Sequence, residues 1–185
     1  MDLRKLIKGA YGSVAMEVYK FTSQRKQIDL QDLYDTPVMT KYHHILTALR
    51  YVAIEEHYGK NDFGKALYAK ANGLSNTQQD FARFESLMRS IETKGYNTRS
   101  GVYVDRNGNC FNGTHRLALC VWFRVKKIPA YLVKRSLALP SVQDMKLRYG
   151  LSDQEYAQLE EAYQRMRGRL QKNGCSETQK TGGQS

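Results

Sequence analysis

The sequence predicts an α/β (α+β) fold that is mostly helical, with a small sheet, a helical N-terminal extension and a long C-terminal helix. Three observations predict it. Apolar residues recur at helical spacing over 3–21, 42–53 and 81–91. Two short β-type runs, Gly101-Val102-Tyr103-Val104-Asp105 and Ile128-Pro129-Ala130-Tyr131-Leu132-Val133, then flank a helical run, Leu117 to Phe123. Finally, Ser152-Asp153-Gln154-Glu155 opens a polar-faced helix that runs to about Lys172. The chain divides as a helical extension (1–74), an α/β core (75–150), a C-terminal helix (151–173) and a disordered tail (174–185).

Leu3, Leu6, Ile7, Ala10, Tyr11, Val14, Val18 and Phe21 form the first stripe, with Arg4, Lys5, Lys8 and Lys20 largely off it. A stripe of this kind more often packs on its own domain. Its basic flank also suits peripheral contact of residues 3–21 with an anionic membrane. Gln27 to Asp35 is short and polar, and Thr36-Pro37 breaks the chain. Tyr42, Ile45, Leu46, Leu49, Val52 and Ala53 form a second stripe. The adjacent His43 and His44, with His57 nearby, lack metal-ligand spacing and read as surface or packing residues. Gly59-Lys60-Asn61-Asp62-Phe63-Gly64-Lys65-Ala66 nearly matches a Walker phosphate loop. Ala66 lacks the hydroxyl that holds magnesium there, and helix precedes the run, so it reads as an interhelical turn before a helix over 63–71. Ser75 can cap the next helix, whose buried face is Phe81, Phe84, Leu87, Met88 and Ile91 and which stops at Gly95. Pro129 suits a strand start or a sheet edge. A short helix from Pro140 to Tyr149 ends at Gly150.

Twenty-nine Lys and Arg against eighteen Asp and Glu leave a net charge of +11. Such a balance favours polyanionic partners: nucleic acid, an anionic membrane face or phosphorylated metabolites. Three widely spaced cysteines, Cys110, Cys120 and Cys175, argue against a disulfide framework and paired zinc ligands. Cys110 reads as a buried strand cysteine. No signal-peptide-like or membrane-spanning run is visible, which predicts a reducing cytoplasmic setting.

The most informative stretch is Asn112-Gly113-Thr114-His115-Arg116, which follows the turn Arg106-Asn107-Gly108-Asn109. A glycine at a strand-to-helix junction lets backbone approach a ligand closely. The unpaired amides of the helix start then favour an anion. His115 adds a titratable donor and Arg116 a fixed guanidinium fork. The pattern points to a phosphate cradle.

Taken in order, Phe84 to Ile91 with Gly95, Val102 to Asp105, Asn112 to Ala118, and Ile128 to Val133 resemble the ParB/sulfiredoxin superfamily. The similarity covers roughly residues 81–135 and implies a small α/β fold whose Gly-x-x-Arg loop binds nucleotide phosphates. Sulfiredoxins carry a catalytic cysteine where this chain has Thr114, so their reductase chemistry should be absent. Chromosome-partitioning members bind CTP through Gly-Glu-Arg-Arg and add a helix-turn-helix DNA domain, for which the chain beyond Arg135 is short. Free serine kinases of the superfamily carry Asp-Gly-His-His-Arg; here Asn112 replaces the aspartate. Other small members resemble components of cell-surface polysaccharide pathways.

The resemblance implies a nucleotide-dependent enzyme using ATP or another nucleoside triphosphate, with Mg2+, to phosphorylate a small polar or sugar-like acceptor. Asn112, Gly113, Thr114, His115 and Arg116 would hold phosphates. Arg116 would offset charge on the transferred group, and His115 would donate a hydrogen bond or act as acid or base near its ordinary pKa. Glu85, on the matching helix, is the candidate base. Asp105 and Asn112 are the candidate metal partners, although Asp105 also suits a turn cap. The alternative is a CTP-switch or DNA-binding module without catalysis, in which Arg165, Arg167, Arg169 and Lys172 would meet nucleic acid.

Overall fold

The computed structural model describes residues 23–35, 41–72, 77–97, 99–106, 110–134 and 141–174. The amphipathic stripe of residues 3–21, Ser75 as a helix cap and the tail beyond Gly174 lie outside them, as do the side chains of His43 and His44. The described chain is α+β and mostly helical. In order it forms β1 (Gln24–Asp29), α1 (Leu30–Asp35), α2 (Lys41–His57), α3 (Gly64–Asn72) and α4 (Thr77–Lys94). Then follow β2 (Val102–Val104), β3 (Cys110–Asn112), α5 (Thr114–Trp122), β4 (Lys127–Leu132), α6 (Val142–Tyr149) and α7 (Asp153–Gly174).

The sheet is mixed, in the order β1-β4-β2-β3. β2 and β4 run parallel, and β1 and β3 are antiparallel to their neighbours. β1 corrects the expectation of helix and polar connection in this region. Its Gln-Arg-Lys-Gln start has no apolar alternation, because the side chains of Gln24, Arg25, Lys26 and Gln27 are all exposed. Pairing with β4, from Gln24 against Leu132 to Asp29 against Lys127, makes it a strand. Of the two settings expected for Pro129, it takes the one near a strand start, as the third residue of β4, and not the sheet edge. It lies in a central strand, yet its carbonyl faces Gly101, where a Cβ would come within 2.6 Å. In an extended residue the N–H and C=O point the same way. The missing donor therefore falls at Gly101, one residue before β2 begins.

α2 is the centre of the helical layer. Ala48, Leu49, Val52, Ala53 and Ile54 are fully buried, and the helix packs against α3, α5 and α7. One buried cluster runs from Leu30 to Leu170, so the front helices and the sheet share a core. The phosphate-loop look-alike holds helices together instead. A Cβ on Gly64 would sit 2.0 Å from the Val52 carbonyl oxygen. Asn61 donates to that oxygen at 3.0 Å and accepts from the Gly64 amide at 3.0 Å, capping α3. Capping boxes open the last two helices: Ser141 with Asp144 at α6, and Ser152 with Glu155 at α7 (2.7 and 3.2 Å). No described helix is long and apolar enough to cross a membrane.

Candidate functional site

β3 ends at Asn112 and α5 starts at Thr114, so the whole change of direction falls on Gly113. Its φ of 98° is left-handed, and a Cβ there would lie 2.8 Å from Cγ1 of Val102. Conformation and space therefore both demand glycine. The first intrahelical bond runs from the Leu117 amide to the Gly113 carbonyl at 2.8 Å. The amides of Thr114, His115 and Arg116 precede it and have no i−4 carbonyl. No side chain caps this end.

The start of α5 opens on a groove of about 400 Å³. Asn112, Gly113, His115 and Arg116 form one side, and Asp80, Arg83, Phe84 and Leu87 of α4 form the other, with Tyr68 of α3 also lining it. The α4 residues fall at i, i+3, i+4 and i+7, one face of a helix. Arg116 donates through Nη1 to the Gly101 carbonyl oxygen, which fixes the guanidinium while leaving it other N–H donors. Arg83 and Asp80 are 3.9 Å apart, with Arg83 exposed, a weak pair at this distance.

His115 departs from expectation. Nε2 lies 2.9 Å from the Tyr68 hydroxyl, and the ring meets Phe84 edge-on at 4.8 Å between centroids. Burial, then the charges of Arg50 and Arg116, push its pKa down to about 3. The imidazole is neutral at physiological pH, so a role as acid or base near its ordinary pKa is corrected. It is a hydrogen-bonding wall of the groove.

Glu85 is not brought to the groove. It faces His57, with Oε1 3.2 Å from Nδ1, because it sits one residue, a 100° turn, from the groove-facing Phe84. Asp80 is the single carboxylate among the groove-lining residues. Asp105 is buried, 3 % exposed, and does not line the groove. Thr114 begins α5 without lining it. Among the described residues no three His, Cys, Asp or Glu side chains gather to hold a metal ion. The Cys110 thiol touches the Asn112 carbonyl oxygen at 3.3 Å, and burial pushes its pKa up to about 12, which leaves it unreactive at neutral pH.

Asp80 and Arg83 were missed by sequence reasoning although the i, i+3, i+4, i+7 spacing with Phe84 and Leu87 is present in the sequence. Tyr68 carried no sequence signal, since only packing of α3 against α4 brings it to His115. The basic face of α7 also differs from a solvated one. Arg165 forms a two-pronged pair with the buried Glu55 at 2.9 and 2.8 Å, and Arg169 lies 4.4 Å over the Trp122 ring.

No protein-family model, curated protein or solved structure matches the chain.

Proposed function

We propose that the groove binds the phosphates of a nucleoside triphosphate and that the protein transfers phosphate to a small polar, sugar-like hydroxyl. The observation that carries this reading is the union of an uncapped helix start and a fixed guanidinium on one groove. Amides at such a start hold anions without further charge, and Arg116 adds a cation where charge builds on a transferred group.

Asp80 replaces Glu85 as the candidate base. In this reading its carboxylate takes the acceptor's hydroxyl proton while the acceptor oxygen bonds to the terminal phosphorus and the bridging P–O bond breaks, leaving a nucleoside diphosphate. His115, neutral and hydrogen-bonded to Tyr68, positions the phosphates with it rather than moving protons. Asp105, the expected metal partner of Asn112, does not reach the groove. The lining residues therefore do not fit a protein-held magnesium cage, and no step is assigned to one.

Calorimetric titration of ATP, GTP and CTP tests the binding, and product assay against a panel of sugars and amino alcohols tests the transfer. Arg116→Gln should weaken nucleotide binding by roughly tenfold. Asp80→Asn should leave binding near wild type and lower turnover by about a hundredfold or more. Unchanged affinity in Arg116→Gln would refute the groove as the phosphate seat. Tight binding without turnover in the wild type would favour a nucleotide switch over an enzyme.

A further inference from the structure

α5 has a second ligand-facing end. A cleft of about 840 Å³ lies between α2, the α2–α3 turn, the end of α5 and α7. Lys60, Arg124, Arg165 and Arg169 line it, against Glu55 and Glu161. Glu55 is already paired with Arg165. Three cations thus face one remaining carboxylate.

Two of these cations are fixed in place at the cleft, one by side-chain contacts and one by its backbone. Arg169 is stacked on Trp122 at 4.4 Å and hydrogen-bonded to Tyr51, with its Nε buried. Stacking and that bond fix the plane of the guanidinium, so its remaining donors are set before any ligand arrives. Arg124 is the single non-glycine residue among those described with a positive φ, 56°. It occupies the position just past the helix end, where the Val125 amide closes back on the Cys120 carbonyl at 2.9 Å. Glycine is the ordinary occupant of that position. A cation here does offset the negative end of the helix dipole. Any basic residue in the preceding turn would do so without left-handed backbone.

We propose that this cleft is a second site, independent of the groove, which binds a phosphate-bearing ligand through Arg124, Arg169 and Lys60. Charge, not stacking, does the recognising. The Trp122 ring is flanked by Tyr58, stacked at 5.1 Å and 18°, and by Arg169. Those two partners already occupy the ring. A helix end also presents carbonyls, which repel anions, so side-chain cations must supply all the attraction. Free phosphates and the phosphodiester chain of nucleic acid share this chemistry.

Trp122 is the chain's one tryptophan, so its fluorescence reads the cleft directly. The intact protein is titrated with inorganic pyrophosphate in one arm and a short oligothymidylate in the other. The expected result is a saturable change of Trp122 emission that weakens roughly tenfold in Arg124→Gly and in Lys60→Gln, and persists in Arg116→Gln. Arg124→Gly relieves the backbone, so its melting temperature should equal or exceed wild type, which separates ligand loss from unfolding. Response to pyrophosphate identifies a small phosphorylated ligand, and response to the oligonucleotide alone identifies nucleic acid; either supports an anion site. No saturable response in either arm, or unchanged affinity in Arg124→Gly, overturns it.

Discussion

The two ends of α5 lie about 13 Å apart along one helix and meet solvent with opposite equipment. At the N-terminal end a glycine holds φ 98° because Val102 leaves no space for a side chain. At the C-terminal end an arginine holds φ 56° where glycine would be easier. The first end attracts anions with backbone amides and needs a side chain removed. The second end repels anions with backbone carbonyls and needs side chains added. An anion site at a helix start is therefore largely a backbone property, whereas one at a helix end depends on each guanidinium and on ionic strength.

The contrast breaks most readily at Gly113. Gly113→Ala forces a methyl to within 2.8 Å of Val102 at a left-handed φ, and should lower stability by about 3 kcal/mol. Urea unfolding measures it; a loss below about 1 kcal/mol would mean the junction relaxes and glycine is not demanded there.

The neutral wall of the N-terminal end gives the next largest effect. His115 has its pKa lowered from 6.5 to about 3 in the fold. Between these values the unfolded chain binds the proton and the folded chain does not. Stability from this residue is thus complete above pH 6.5 and falls with acid until about pH 3. The slope approaches about 1.4 kcal/mol per pH unit. Denaturation at several pH values from 7 down to 5 should show the decline in wild type and a flatter profile in His115→Gln. This window stays above the range where the lowered carboxyl groups of Asp144, Asp153 and Glu155 titrate. Equal slopes would place the imidazole in contact with water.

At the C-terminal end the sign reverses. Arg124→Gly should raise stability by about 1 kcal/mol, read from the shift in thermal midpoint. A loss instead would show that the guanidinium contributes more to the helix end than the left-handed backbone costs. The smallest expected difference is in salt response. Raising ionic strength should weaken anion binding at the cleft more steeply than at the groove, because exposed cations are screened and backbone amides at a partly enclosed groove less so. Parallel slopes by titration of the two sites would remove the distinction.

Much of the helical fold was legible. The stripe from Phe81 to Ile91 marks α4, and Ser152 with Glu155 marks the start of α7, because periodicity and capping are local. The Gly113 junction was legible for the same reason: a strand, one glycine and a helix are adjacent in the chain. β1 was not, since a polar exposed segment becomes a strand only when β4 supplies its hydrogen bonds. Glu85 was named only from its place on the helix that resembles the family, and Asp80 was missed because a helix pattern states which residues are buried together and leaves open which polar neighbour turns toward another element. The strain at Arg124 has no signature at all in residue order.

Residue order was thus sufficient for where most of the helices begin and for the glycine at the start of α5, since neighbours within a few positions settle capping and periodicity. The neutral state of His115, the carboxylate opposite Arg116 and the cationic cleft around Trp122 came from the packing of α3, α4 and α7 on the rest of the core. Burial, charge proximity and ring contacts act through space, between residues as far as 110 positions apart, and no local rule encodes them.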